Sequence, residues 1–531
     1  MHGNETRVSI IAAILAAGVA LSVTACSSGQ TSDTNNTVNE SDNVVTTVGD
    51  AVTEPDVTTA EETEMLPEIG AAVRLPQGEK PLFANVSVHD PSVTKVGDTY
   101  YIIGSHMQAA KSSDLIKWVS VSTGADNTPL FKSVKDELAN AIQWTQTELY
   151  WAADWIQLRA DGKFYMYYCV SQGSSPLSCI GLAVADNMEG PYTDLGVIIR
   201  SGVSGFGPDG ASFNANTDPN AIDPQAFYDK DGNMWLVYGS YSGGIYITEL
   251  DPATGRPKAG QRWGTKLTGG SHTPIEGAYI MYSPETDYYY LFTSFGGLSY
   301  NDGYNLRVSR SKSPDGPYVD YAGQDMIHAA DGSTTAFDTS KIQNYGLKLF
   351  GNHVWQTKTN DTGTGKKGYV SPGHNSAYYD AETGRYFLIF HTRFPGEGEV
   401  HQVRVHQMFM NEDGWPVVAP CRYAGETIGE YVGENIIGKF KYVNHGHEVT
   451  NAIVKSSDIE LNADYTITKS GTKIGEWSLK NGNLATITID GVTYKGVFLY
   501  QWDDVAGAYT MTFTAASEGG VSIWGTQIYE P

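Results

Sequence analysis

A short aromatic segment entered from a Gly or Asp turn recurs five times in this chain, and this repeat restricts the fold most. The copies are VGDTYYIIGS at 96–105, DGKFYMYYCVS at 161–171, DGNMWLVYGS at 231–240, ETDYYYLFTS at 285–294 and ETGRYFLIFH at 382–391. Each alternates aromatic and aliphatic residues after a turn signal, which is strand chemistry. The first four copies are spaced by about 55 to 70 residues and the last by about 100, so an insertion is expected near 325–370. Second markers, AKSSDLIKW at 110–118, LAVADNMEGPYTD at 182–194 and VSRSKSPDGPYVD at 308–320, follow the first, second and fourth copies. Five several-stranded units predict an all-β, five-bladed β-propeller over 78–424, with the aromatic strands innermost around a central channel. A β-sandwich with accidental similarity is the competing reading.

After Ala424 the pattern changes to short alternating segments such as EWSLK, LATITID, YKGVFLYQW, YTMTFTA and VSIWG. Residues 425–531 therefore read as a separate small β-barrel or sandwich.

At the other end, Arg7 precedes the nearly all-apolar Val8–Val23, which is short for a membrane span and is followed by small residues. The segment ends Val23-Thr24-Ala25-Cys26, which resembles a bacterial lipobox. Residues 1–26 are thus expected to be a lipoprotein signal peptide with Cys26 lipidated. A plain signal peptide with a chance Cys is the alternative. Residues 27–70 are polar and aperiodic and read as a disordered tether. Cys169, Cys179 and Cys421 remain, and a Cys169–Cys179 bridge and buried free thiols both fit.

The chain carries 60 acidic against 35 basic residues. Nucleic acid is excluded as a partner, because phosphate binding needs a basic face. A neutral sugar polymer suits such a surface, and 33 Tyr and 11 Trp offer rings for stacking. An ordinary all-β core accounts for the same rings.

Glycoside cleavage needs two carboxyls across the scissile bond. Three acidic residues stand just before aromatic strands: Asp90 in VHDPSVTKVGDTYY, Asp223 in NAIDPQAFYDKDGNMW and Glu276 in HTPIEGAYIMYSPETDYYYLF. Propeller symmetry would place all three near the axis on one face. His374, in SPGHNSAYYD, occupies a fourth equivalent position. An acidic residue beside Pro is ordinarily a turn residue and a lone His a structural one, so the repetition carries the argument.

These motifs, in this order, resemble the family 43 glycoside hydrolases, and within them the two-domain bacterial endo-1,5-α-L-arabinanases. The resemblance runs from about residue 80 to the C-terminus and includes HDPS, SSDLIKW, NAIDP, YGSYSGGIYITELDP, IEGAY, YYYLFTSFGGL, SPGHNSAYYD, YKGVFLYQWDD and VSIWG. It implies Asp90 as general base, Glu276 as general acid and Asp223 as the carboxylate that tunes the acid's pKa. It also implies an inverting reaction, in which the carboxyls stand about 6.5–9.5 Å apart to admit a water. It further implies a calcium ion at His374, although calcium prefers oxygen ligands. Sugar contacts are expected from Trp151, Ser174, Asn220, Ala221, Ser240, Tyr241 and His272. Asp154 lies in WAAD where many relatives read WAPD, which leaves its role open. The substrate implied is arabinan and its oligosaccharides. The enzyme is expected to be a monomer on the outer face of the cell membrane, touching the membrane through its lipid only. An exo-acting arabinofuranosidase or β-xylosidase of the same family is the nearest rival, and a non-catalytic glycan-binding lipoprotein a distant one. Retaining fructosidases are excluded, because neither Asn-Asp-Pro-Asn nor Arg-Asp-Pro occurs.

Overall fold

The computed structural model describes residues 66–202 and 212–530. The expected signal peptide, Cys26 and the expected tether up to residue 65 lie outside them. Among the described residues no helix is long and apolar enough to cross a membrane.

Five antiparallel sheets follow one another along the chain, as the repeat predicts. Their inner strands are Ser92–Val96, Tyr150–Gln157, Gln225–Tyr228, Ile275–Ser283 and Gly368–Asp380, the last preceded in its sheet by the two-residue strand His353–Val354. Each of these strands neighbours the next, and the fifth neighbours the first, so they form the closed inner ring of a propeller. The aromatic repeats are the second strands, Thr99–Ile103, Phe164–Ser171, Met234–Tyr238, Tyr288–Phe295 and Arg385–Arg393. This corrects the expectation that they would be innermost. A second strand has a neighbour on both sides and packs between adjacent blades, so it is the strand buried on both faces. In Phe164–Ser171 every residue is buried. Large apolar side chains buried this way contribute about 1.5–3 kcal/mol each. Phe292, with no exposed surface, is such a residue, and its truncation to Ala would cost about 3–5 kcal/mol.

The extra length before the last blade is split in two. Residues 312–346 separate the third and fourth strands of blade 4, and 355–367 lead into blade 5. A second insertion, 124–149, joins blades 1 and 2 and carries the short helices Val134–Glu137 and Ala139–Thr145.

Eight strands between Gly438 and Gln527 close into an antiparallel barrel, deciding between the barrel and the sandwich. Trp477, Ile487, Phe498 and Phe513 belong to the buried cluster that fills it. Its wall is fused to the propeller. Val443, Val497, Ala516 and Trp524 share one buried cluster with Phe350, Phe390 and Trp415. The propeller strand His353–Val354 pairs in parallel with Val454–Lys455. The segment after Leu66 lies along the barrel: Tyr465 donates its hydroxyl to Pro67 O and Gly70 N donates to Glu434.

Cys169, Cys179 and Cys421, the cysteines among the described residues, are buried and free. Val170, not Cys169, opposes Cys179, and the two thiols enter different core clusters on opposite faces of the sheet. That geometry rules out the hairpin bridge.

Candidate active site

All five inner strands begin at one mouth of the channel, and the residues singled out above sit there. Asp90 and Asp223 lie two residues before their strands begin, and Trp151 and Glu276 are the second residues of theirs. His374 is inside its strand at a register shift. Asp90, Asp223 and His374 all have left-handed backbones, with φ of 58°, 55° and 44°. Such values are uncommon for non-glycine residues and cluster at functional sites. Bulges between Trp151 and Asp154, between Glu276 and Tyr279, and around Gly373 turn the chain at this rim. Two glycines make the crowding feasible. A Cβ on Gly277 would meet the His374 ring at 3.0 Å, and one on Gly373 would meet the Tyr304 ring at 1.9 Å.

Asp90 is held from several sides. His89 Nδ1 stands 2.8 Å from Oδ2 and His374 Nδ1 3.1 Å from Oδ1, while Ser105 donates its hydroxyl to Oδ2. The Asp90 N–H donates to Nδ1 of His391 at 3.1 Å. His391 Nδ1 is also 3.6 Å from Asp90 Oδ1. That approach is not an ion pair, because burial and the nearby His89 hold the His391 ring neutral, its pKa well below the usual value. Burial raises the Asp90 pKa, but the charges of His89 and His374 outweigh it and hold the carboxyl well below the ordinary range. Asp90 is therefore an ionised carboxylate.

Glu276 and Asp223 are pushed the other way. Both are buried, and burial is the largest cause of each upward shift. The charge of Asp90 raises both further, while that of His374 opposes the rise. The charge of Glu276 also raises Asp223, which is pushed up to about 7, so the last proton of the pair is held more tightly than the first. Ser240 donates to Glu276 Oε2 at 2.8 Å, and the fully buried Tyr304 stands beside the same carboxyl. One mouth thus holds an ionised carboxylate and a carboxyl pair that retains a proton. That is the division of labour acid–base chemistry needs.

The other expected residues fall as follows. Trp151 is half-buried, its ring beside Gly173, and Ser174 is exposed on the same loop. Asn220 is half-buried and accepts from Ser201, whereas Ala221 is fully buried with its N–H given to Ser201 Oγ. Ser240 is turned toward Glu276. Tyr241 donates its hydroxyl to Gly296 O and packs edge-on against Phe337, an exposed ring from the 312–346 insertion. His272 O accepts from Phe337 N, which joins that insertion to the mouth. Asp154 is a pin rather than a site residue. It is buried, accepts from Ser92 Oγ and takes Ala226 N at 2.8 Å, tying the inner strands of blades 1, 2 and 3.

Ser105, Ser294 and His391 were not singled out in the sequence, yet a signal was there. Each is the last residue of a repeat copy, as is Ser240. Ser105 serves Asp90, Ser240 serves Glu276, Ser294 Oγ accepts the His374 N–H at 2.7 Å, and His391 accepts the Asp90 N–H. The aromatic strands thus end in a polar ring that positions the residues on the inner strands.

A cation site was expected at His374. Asn375 beside it is 2% exposed, and neither its carboxamide oxygen nor its nitrogen has a partner. It lines a small axial cavity with Asp90, Asp223 and His374. An orphaned amide and two carboxyl groups suit a hard, hydrated cation. A second group, His89, Asp90 and His391, brings donor atoms within 4.8 Å of one another. Its two imidazoles do not favour calcium, and His391 Nδ1 is spent on the Asp90 N–H.

A five-bladed propeller with opposed carboxyl ionisation at one mouth belongs to the class of glycan-cleaving propeller enzymes. The chain is a member of glycosyl hydrolases family 43: that family's domain matches residues 80–416, and its C-terminal lipocalin-like domain matches residues 420–525. It is 50% identical, over 85% of its length and 94% of the relative's, to extracellular endo-α-(1→5)-L-arabinanase 2 of Bacillus subtilis. It is 49% identical, over 85% of its length and 96% of the relative's, to the extracellular endo-α-(1→5)-L-arabinanase of Thermotoga petrophila. The crystal structure of the endo-1,5-α-L-arabinanase from T. petrophila matches with a TM-score of 0.79 at 48% identity, over 85% of this chain and 100% of that one.

Proposed function

We propose that this chain cuts the α-1,5 linkages of arabinan internally, by an inverting acid–base mechanism. Asp90 is the base: as an ionised carboxylate it takes a proton from the attacking water. Glu276 is the acid: its raised pKa keeps the proton it delivers to the leaving oxygen. Asp223 is the neighbour whose charge helps keep that proton in place. The observation that carries this reading is the opposed ionisation of Asp90 against the Glu276–Asp223 pair at one channel mouth. Substrate contact is assigned to the rim residues Trp151, Ser174, Asn220, Tyr241 and His272, with Ser240 and Ala221 shaping the carboxyl turns.

Calcium is the proposed ion at the axis. His374, as a neutral ring with Nδ1–H on Asp90, and Asn375 would hold it, with water and the carboxyls of Asp90 and Asp223 nearby; the ion's charge would then replace the one protonated His374 supplies without it. Bound there, it would supply positive charge that favours ionised carboxylates. Export, lipidation at Cys26 and a monomeric state complete the proposal. The two relatives named extracellular support export.

Products from linear arabinan test the reading. An endo enzyme releases a ladder of oligosaccharides, and inversion gives the anomer opposite to the linkage. Monomer alone from the start of the reaction would favour the exo-acting reading.

A further inference from the structure

A second concavity lies on the rim of the same mouth. The 124–149 insertion leaves blade 1 after Thr123 and returns at Tyr150, both at the catalytic end of their strands. It is not a loose loop. Leu130, Phe131, Val134, Leu138 and Ala141 are buried in the core of blade 2. Between the insertion and the edge of blade 1 is a pocket of about 640 Å³. That volume falls within the range of small-ligand sites.

Its lining has the chemistry of a saccharide site. Phe131 and Tyr150, both buried, form apolar floor, and the exposed His106, Asp126, Asn127 and Lys132 provide donors and acceptors at the rim. Formal charge is balanced. Lys132 and Lys135 face Asp126 and Glu148, and Lys135 is paired with Glu148. An anion would want a surplus of cations, which the pocket lacks. A neutral polyhydroxylated ligand gains hydrogen bonds here without burying an unpaired charge.

The pocket is one residue along the chain from the catalytic mouth at two points. His106 follows Ser105, whose hydroxyl holds Asp90. Tyr150 precedes Trp151, at the start of the blade 2 inner strand. We propose that this pocket is a remote saccharide subsite, taking arabinofuranosyl units several positions from the scissile bond. It rests on the arabinan-cleaving reading above and adds where distal sugars are gripped. The units could belong to the main chain or to a side branch, which present the same hydroxyl-rich rings.

Asn127 is exposed, so replacing it spares the core. The full-length protein, Asn127→Ala and Asn127→Trp would be compared on linear arabinan, branched arabinan and arabinotriose. Losing one or two hydrogen bonds should raise KM on the polymer about tenfold, with Trp the more severe, and leave arabinotriose turnover unchanged. A rise on linear arabinan identifies main-chain units, and a rise on branched arabinan alone identifies a branch. Unchanged KM on both polymers would overturn the subsite, as would an equal loss on arabinotriose. The wild type supplies the separating control. If it leaves linear arabinan uncut, the functional reading fails. If it cuts arabinan and the variants match it, only the subsite fails.

Discussion

The backbone N–H of Asp90 donates to Nδ1 of His391 across the seam between blade 1 and blade 5. This contact joins the start of one inner strand to the end of the last aromatic strand, 301 residues away. It also sets the His391 tautomer, because a ring that accepts at Nδ1 must carry its proton on Nε2. Asp90 holds a left-handed backbone, so its carboxyl direction depends on this anchor. His391→Ala leaves a buried N–H unpaired, at about 1–3 kcal/mol. The expected outcome is a fall in kcat of about tenfold or more with KM nearly constant, and partial rescue by His391→Asn. Steady-state kinetics on linear arabinan would read it. A change in KM alone would show that His391 acts on binding and not on Asp90.

Asp90→Asn should abolish hydrolysis while arabinan is still bound. The loss expected from removing a general base is about 10²–10⁴-fold in kcat. Titration calorimetry with an arabino-oligosaccharide would show retained affinity. Full turnover in this variant would remove Asp90 from the chemistry.

The pH profile should respond with opposite signs at two positions. The alkaline limb reports loss of the acid's proton. Asp223, pushed up to about 7, shares the last proton with Glu276; Asp223→Asn removes the negative charge it carries whenever that proton sits on Glu276, so the Glu276 pKa falls and the limb moves to lower pH. Ser240→Ala deletes a hydroxyl that stabilises the Glu276 carboxylate, so the pKa rises and the limb moves to higher pH. The acidic limb follows protonation of Asp90 and should stay low in both variants. Shifts of the same sign would break the assignment of Glu276 as acid.

Chelation tests the axial ion. Removing calcium should lower kcat, and adding it back should restore the rate. Asn375→Leu, which replaces the unpartnered amide with an apolar group of similar size, should weaken that response. Complete indifference to chelator would remove calcium from the site.

Asp154→Ala separates structure from chemistry. Asp154 accepts the Ala226 N–H inside the inner ring, so its loss should lower Tm by several degrees. KM of the protein that remains folded should be close to wild type. A pure kcat defect at unchanged Tm would return Asp154 to the reaction.

Much was settled by the sequence alone. The aromatic repeats declared five blades because a twice-buried strand must be apolar on both faces, and that demand is visible one residue at a time. Asp90, Asp223, Glu276 and His374 were legible because each precedes a repeat at a similar offset. What sequence could not supply was which strand lies innermost, since periodicity reports burial and says nothing of distance from an axis. Nor could it show that Asp90 and Glu276 ionise in opposite senses. Both carboxyls are buried; the difference comes from His89 and His374 both standing against Asp90 closely enough to outweigh burial, whereas at Glu276 burial wins. The partners Ser105, Ser240, Ser294 and His391 are the last residues of their repeats, yet only closure of the ring brings residue 391 to residue 90. Pairing, depth and local charge arise between segments far apart in sequence, and the tertiary structure alone decides them.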